Sequence, residues 1–238
     1  GRYEMLNICM KIIPDMYESI SGQVSIDILN SIPLLDINPD IITEFQSILK
    51  RIMDIILSLS LIILLFPLIL ALMIIVGFSS HGGIFYKQLR MGKNGTLFNL
   101  YKFRTMYINS EISTGPIWAE KDDSRITSVG RVVRKYHLDE IPQLYNVFKG
   151  EMSIVGPRPE RPRIIEELIK EIPYYTFRMK VKPGITGWAQ INGSYDSSLK
   201  DVFIKLKHDF HYIENISIWL DSKILLLTIW IVIKGRGH

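Results

Sequence analysis

Residues 52–78 read IMDIILSLSLIILLFPLILALMIIVGF, an apolar run interrupted only by Asp54 and small polar side chains. The helix that carries it is predicted to start near Glu44 and to pass through Lys50 and Arg51. At about 1.5 Å per residue, such a segment is long enough to cross a hydrocarbon core of about 30 Å. Its flanks are basic on both sides, with Lys50 and Arg51 before it and Lys87, Arg90 and Lys93 after it. Because basic residues favour the cytoplasmic side, both ends are expected there. Pro67 sits mid-run, where the missing N–H and the ring clash kink a helix. The preferred reading is therefore a re-entrant membrane helix over residues 44–78, bent at Pro67. A spanning anchor with an incidental kink is the alternative, and the backbone groups freed at Pro67 would then need partners in lipid.

Upstream, residues 1–43 are short apolar runs broken by Pro14, Gly22, Pro33 and Pro39, read as the tail of a preceding domain and a linker. The chain opens on Gly1 with no signal-like segment, which reads as a piece of a longer protein. Downstream, residues 79–238 turn soluble in character. The 238 residues, 47% of them hydrophobic, suffice for one sizeable core. A formal charge of +4 suits an anionic membrane surface or a phosphorylated substrate as well as nucleic acid. Cys9, the single cysteine, permits neither an internal disulfide nor a thiolate metal cluster.

Strand parity over residues 97–106, LFNLYKFRTM, puts Lys102 and Arg104 on one face and Tyr101 and Phe103 on the other. Residues 111–125 read as a polar loop, and residues 129–136 carry Arg131, Arg134 and Lys135. In the following stretch, residues 137–162, Leu138, Ile141, Leu144, Tyr145 and Phe148 form an apolar helical stripe. Asp139, Gln143 and Asn146 share another face. Pro142 fits only a first helical turn, so this helix is expected to begin at about Asp139. Residues 164–172 and 199–212 read as further helices, and residues 182–194, KPGITGWAQINGS, as turns and short strands. Residues 219–234 have an apolar centre too short to span a membrane. Trp219, Lys223, Trp230 and Lys234 at the margins suggest an interfacial helix, with a buried core helix as the alternative.

The adjacent carboxylates Asp139 and Glu140 are the chemical focus. A carboxylate can attack phosphorus and divide one displacement into two, although taken alone an acidic residue here is more often an ordinary N-cap. The surroundings are cationic: Lys102, Arg104, Arg131 and Arg134, and Arg158 in the GPRP loop of residues 156–159. Arginine grips phosphate with a planar fork. Phosphoryl transfer usually enlists Mg²⁺ held by one or two carboxylates and substrate oxygens, so Asp139 and Glu140 are also the candidate metal ligands. His208 and His211 lack a third soft ligand, and Asn94, Asn192 and Asn215 begin glycosylation-like triplets that read as chance. There is no Walker loop, no G-x-G-x-x-G and no G-x-S-x-G.

KFRTM (residues 102–106), LDEIPQLYNVFKGEMSIVGPRPE (residues 138–160) and KPGITGWAQINGS together resemble the bacterial monotopic polyprenyl-phosphate sugar-1-phosphate transferases. The similarity runs from about Phe45 to the end of the chain, and the region before it looks like the close of the upstream domain of long members. The resemblance implies a mixed α/β catalytic region on the cytoplasmic face of the bacterial inner membrane, with a re-entrant helix and interfacial amphipathic helices. It implies Mg²⁺, a UDP-sugar donor, undecaprenyl phosphate as acceptor, contact with membrane lipid and no nucleic-acid partner; a homo-oligomer is left open. Carried over by motif, Asp139 matches the nucleophile that forms a phosphosugar-enzyme intermediate, and Glu140 the second acid. Lys102, Arg104, Arg134 and Arg158 match phosphate binders, while Gln143 and Trp188 position substrate. Galactose-1-phosphate or glucose-1-phosphate is the expected cargo. One departure is visible: relatives carry a proline-containing turn where this chain reads Ser80-His81-Gly82-Gly83.

Two other classes compete. A membrane phosphohydrolase would use the same aspartate with water as acceptor, and a scaffold for polysaccharide assembly would need no chemistry. The apolar segment beside the aspartate favours a lipid acceptor, and a scaffold would be free to lose the acid pair or its cations, which are all present.

Overall fold

The computed structural model describes residues 10–12, 35–37, 42–107, 123, 125–193 and 199–234. The predicted loop at residues 111–125 lies largely outside these. Helix α1 (Glu44–Leu64) starts where the sequence places it: the Thr43 hydroxyl accepts from Gln46 N, and the Gln46 side chain accepts from Thr43 N, a reciprocal cap. Helix α2 (Phe66–Ser79) follows after a break at Leu65, with Pro67 in its first turn. Proline disfavours helical geometry in the residue before it and cannot donate backward, so the helix stops and restarts just upstream. The two axes differ by 64°. Among the described residues no single helix is long and apolar enough to cross a membrane; the bent pair together is, by length and composition.

The first turns of α1 serve a purpose that composition does not reveal. Lys50 pairs with Asp221, Arg51 donates to the carbonyls of Val147 and Phe148 at 2.7 Å each, and Asp54 accepts from Ser153 Oγ and Ile154 N. These side chains dock α1 onto the body of the protein; Arg51 satisfies carbonyls at a helix C-terminus that would otherwise lack partners. Basic residues read as a membrane flank are thus structural anchors.

Strands β1 (Met10–Ile12) and β2 (Leu35–Ile37) pair antiparallel in the upstream region. Strands β3 (Phe85–Met91) and β4 (Leu97–Phe103) form an antiparallel hairpin in which Tyr86 faces Lys102. Its tip carries Asn94 and Gly95, both at positive φ, as a tight hairpin turn requires. Helix α3 (Ser128–Lys135), a 3₁₀ turn (Leu138–Glu140) and helix α4 (Gln143–Lys149) lead into strand β5 (Ser153–Val155). Helix α5 (Pro162–Glu171) and a 3₁₀ segment (Pro173–Lys180) precede strand β6 (Gly184–Thr186), which lies parallel to β5. Helices α6 (Trp188–Asn192), α7 (Leu199–Glu214) and α8 (Ile218–Ile233) complete the mixed α/β fold.

The main core joins Phe98 and Leu100 of β4, Leu144 and Val147 of α4, β5, Ile165 of α5, Leu206 and Phe210 of α7 and Ile224 of α8. A second cluster packs Leu72 and Val76 of α2 against Phe103 and Val133, with Leu138 and Ile141 at its edge. Helix α8 is apolar on more than one face. Leu220 and Ile224 enter the core, while Trp219, Leu226, Ile229 and Trp230 are exposed. It is therefore both the core helix and the exposed apolar helix that its sequence left as alternatives.

Candidate active site

Asp139 and Glu140 lie on the 3₁₀ turn, not on a helix running from Asp139 as the apolar stripe suggested. Helix α4 begins only at Gln143, with Pro142 as its N-cap. Immediately upstream, His137 takes φ 54°, a left-handed conformation uncommon for a residue with a Cβ. That reversal swings the chain from α3 into the acidic turn. Leu138 and Ile141, on either side of the acid pair, pack on the α2 cluster, so the carboxylates stand beside the apolar helix pair.

Both acids are buried, at 7% and 8% exposure. Glu140 Oε1 accepts from Lys102 Nζ and from Arg158 Nη2, each at 2.6 Å. Asp139 Oδ2 lies 3.7 Å from Lys102 Nζ. Burial alone would favour the neutral acid at both. At Glu140, however, Arg158 and Lys102 outweigh burial and hold the carboxyl well below the usual range. At Asp139 burial prevails, assisted by the charge of Glu140, and pushes the carboxyl up. The pair therefore combines one carboxylate fixed as an anion with a more basic neighbour. Such divergence is what distinguishes the roles of paired acids.

Lys102 is aimed at the turn by its strand. Asn146 receives Tyr101 N at 3.1 Å and donates to Asn99 O and to Glu151, stapling β4 to α4. The shared polar face of Asp139, Gln143 and Asn146 was legible in sequence, but the stapling role of Asn146 was not. Gln143 is 2% exposed on that inward face. Arg134 reaches toward the site from α3, its Nε donating to Thr105 Oγ1 at 2.8 Å. Burial lowers its pKa, while the charge of Asp139 favours its ionised form. Helix α3 approaches closely because Gly130 lacks a side chain: a Cβ there would lie 2.1 Å from Thr105 O. Thr105 carried no signal beyond its place in KFRTM.

Two candidates fall elsewhere. Strand β4 ends at Phe103, and Arg104 turns away to donate to the carbonyls of Ser80 and His81 at 2.6 and 3.1 Å, at the exit of α2. Parity predicted a shared face with Lys102, but parity ends with the strand. Trp188 opens α6, a short helix where turns and strands were expected, and stacks near His211 of α7 with Lys223 over its ring at 5.2 Å. None of these contacts reaches the acid pair. Pro67 remains at the bend of the α1–α2 pair.

Among the described residues no group of three or more His, Cys, Asp or Glu side chains gathers as a metal cage. What converges is an acid pair, Lys102, Arg134 and Arg158 against an apolar helix, a set suited to a phosphorylated ligand with a lipid partner.

A model of the family described as bacterial sugar transferase matches residues 45–235. The UDP-N-acetylgalactosamine-undecaprenyl-phosphate N-acetylgalactosaminephosphotransferase of Aeromonas hydrophila is 41% identical over 237 residues, covering 100% of this chain and 55% of that protein. The UDP-glucose:undecaprenyl-phosphate glucose-1-phosphate transferase of Escherichia coli (strain K12) is 35% identical over 223 residues, covering 92% of this chain and 47% of that protein. EpsL of Bacillus subtilis (strain 168), an uncharacterized sugar transferase, is 41% identical over 194 residues, 80% of this chain and 90% of that protein. The chain thus spans about half the length of the first two relatives and most of the third. With the family match extending from the start of α1 to the end of α8, the chain belongs to the bacterial sugar transferase family.

Proposed function

We propose that the protein transfers a sugar-1-phosphate from a UDP-sugar to undecaprenyl phosphate, releasing UMP and forming an undecaprenyl diphosphate sugar. The observation that carries this reading is the unequal acid pair: a buried, more basic Asp139 next to a Glu140 that holds Lys102 and Arg158 at 2.6 Å. The Asp139 carboxylate attacks the sugar-bearing phosphorus, a bond forms from its oxygen to phosphorus, and the phosphoanhydride bond breaks so that UMP leaves. An oxygen of the lipid phosphate then attacks the same phosphorus and the aspartyl oxygen departs, restoring the carboxylate. Lys102, Arg134 and Arg158 neutralise phosphate charge as it builds.

Glu140 orients Lys102 and Arg158. Two hard oxygen ligands fit Mg²⁺, which takes one or two carboxylates and fills its octahedron with water and phosphate oxygens. Asp139, the acid with no cation at hydrogen-bond distance among the described residues, is the freer ligand. When bound, the ion would supply further charge neutralisation.

The apolar neighbourhood supports a lipid acceptor. Leu138 and Ile141 pack on the apolar cluster that α2 shares with Phe103 and Val133, and the bent α1–α2 pair supports a segment that enters and leaves the membrane on its cytoplasmic side. A water-using phosphohydrolase would have no need of that contact, and a scaffold no need of the acid pair. The relatives named above differ in sugar, N-acetylgalactosamine in one and glucose in the other, so the cargo extends beyond the galactose and glucose of the sequence reading. The product would initiate a capsule, O-antigen or exopolysaccharide.

The test is UMP release from UDP-glucose, UDP-galactose and UDP-N-acetylgalactosamine with Mg²⁺, with and without undecaprenyl phosphate, in wild type and Asp139→Asn. Lipid-dependent release that the variant loses is the expected result. Lipid-independent release would favour the hydrolase. Substantial activity in Asp139→Asn would remove the nucleophile assignment.

A further inference from the structure

The loop at residues 156–160, GPRPE, is held by its backbone from two directions. Arg178 Nη2 donates to the carbonyl of Arg158 at 2.9 Å, and Arg90 Nη1 donates to the carbonyl of Pro159, also at 2.9 Å. Arg178 is 4% exposed and its other donors are engaged. Its Nε and Nη2 lie 2.8 and 2.7 Å from Asp209 Oδ2, and Nη1 donates to Tyr175 Oη at 2.9 Å. Asp209, on α7, is 2% exposed. Glu160 closes the assembly, taking Lys205 Nζ at 2.6 Å with Arg90 at 3.5 Å and Arg178 at 4.0 Å.

Buried ion pairs gain little net stability, because desolvation offsets most of the attraction. What this assembly does accomplish is geometric. Arg178 directs an N–H to a neutral carbonyl, that of Arg158, while its partner Asp209 fixes the plane of the fork. The backbone of Arg158 is thereby immobilised, while its side chain stays 37% exposed and faces Glu140. A rigid base with an accessible head is the arrangement that aims a phosphate-binding group without ordering it anew at each encounter.

We infer that Arg178, oriented by Asp209, is a positioning residue that presents Arg158 to the diphosphate of the nucleotide donor. The inference rests on the reading of Arg158 as a phosphate binder. Arg178→Lys keeps a cation opposite Asp209 and Glu160 but loses the fork that reaches the carbonyl.

The experiment is a double-mutant cycle on the full chain, with the Kd for UDP measured in wild type, Arg158→Ala, Arg178→Lys and the double variant. Thermal unfolding of each verifies folding, and Asp209→Asn replaces Arg178→Lys in the cycle if the latter does not fold. Each single change is expected to weaken UDP binding about tenfold, and the double variant no more than Arg158→Ala alone, since residues acting through one another are not additive. Unchanged binding in Arg178→Lys, or losses that multiply in the double variant, would overturn the inference. Unchanged binding in Arg158→Ala would remove the phosphate reading of Arg158, and the inference with it.

Discussion

Asp139 and Glu140 are consecutive on one 3₁₀ turn, yet Glu140 has two cations at 2.6 Å while, among the described residues, the nearest cation to Asp139 is 3.7 Å away. In the proposed mechanism that difference makes Glu140 the anchor and Asp139 the acid that reacts. Glu140 is committed to holding Lys102 and Arg158. Asp139 has an uncommitted carboxylate of raised basicity, and basicity favours attack on phosphorus once the group is ionised.

The pH dependence of UMP release follows from this. Because the Asp139 carboxyl is pushed up, the proposed nucleophile is lost as pH falls through a value above the ordinary aspartate pKa of 3.8. Lys102 opposes that rise, so Lys102→Met removes a stabiliser of the ionised form and should move the acid limb to higher pH. Profiles of kcat/KM against pH for both proteins check this. A limb displaced to lower pH would contradict the charge assignment.

Arg104→Met separates a phosphate binder from an anchor. Arg104 donates to carbonyls at the exit of α2, so its loss should leave the KM for the UDP-sugar within about twofold while lowering thermal stability. Hydrogen bonds to a charged group contribute about 1.5–3 kcal/mol each. Arg158→Ala should show the reverse pattern, reducing kcat/KM by about 10²-fold. Donor titrations and unfolding curves on the two variants distinguish the roles.

The contrast also marks how far the sequence was legible. The α1 start, the proline break, the cations Lys102, Arg134 and Arg158 and the acid pair were all readable, because capping, φ restriction and motif spacing are local. Arg104 and Trp188 fall away from the acid pair for a local reason as well: each lies just beyond or at the start of a short element, where periodicity no longer fixes direction. Lys50, Arg51 and Asp54 were read by charge against hydropathy, but their positions are decided by partners about a hundred or more residues away, Val147, Ser153 and Asp221 among them. The 3₁₀ turn depends on the left-handed His137, and although histidine is enriched among the few non-glycine residues with positive φ, that preference is too weak to locate such a reversal from sequence.

Glu160 gives a stability prediction with a defined sign. Burial opposes its ionisation, but Lys205, Arg178 and Arg90 overcome burial and hold its pKa at about 2 against 4.5. A depressed folded-state pKa stabilises above the unfolded value and is lost as pH falls from about 4.5 toward 2. The pH-dependent part of its contribution at neutral pH, ionised relative to protonated, is on the order of 3 kcal/mol. Glu160→Gln should therefore lower the unfolding temperature at pH 7 and flatten its decline between pH 5 and pH 3. A variant whose acid sensitivity matched wild type would assign that sensitivity to other carboxylates.

The 64° break between α1 and α2 determines where residue 81 emerges. His81 is exposed, and its carbonyl, not its side chain, accepts from Arg104, so His81→Cys in a Cys9→Ser background introduces a reporter at low structural cost. If the bent pair re-enters, an impermeant thiol reagent should label that cysteine from the cytoplasmic side only. Pro67→Leu restores the backbone donor and removes the ring clash, so a continuous helix becomes accessible. Joined end to end, Glu44–Leu64 and Phe66–Ser79 would exceed the roughly 30 Å of hydrocarbon at about 1.5 Å per residue. The same reporter in Pro67→Leu should then gain labelling from the opposite side, and activity should fall because moving Leu72 and Val76 disrupts the apolar cluster on which Leu138 and Ile141 pack. Labelling of the wild-type reporter from outside would instead establish a span, and the kink would have to be explained by packing alone.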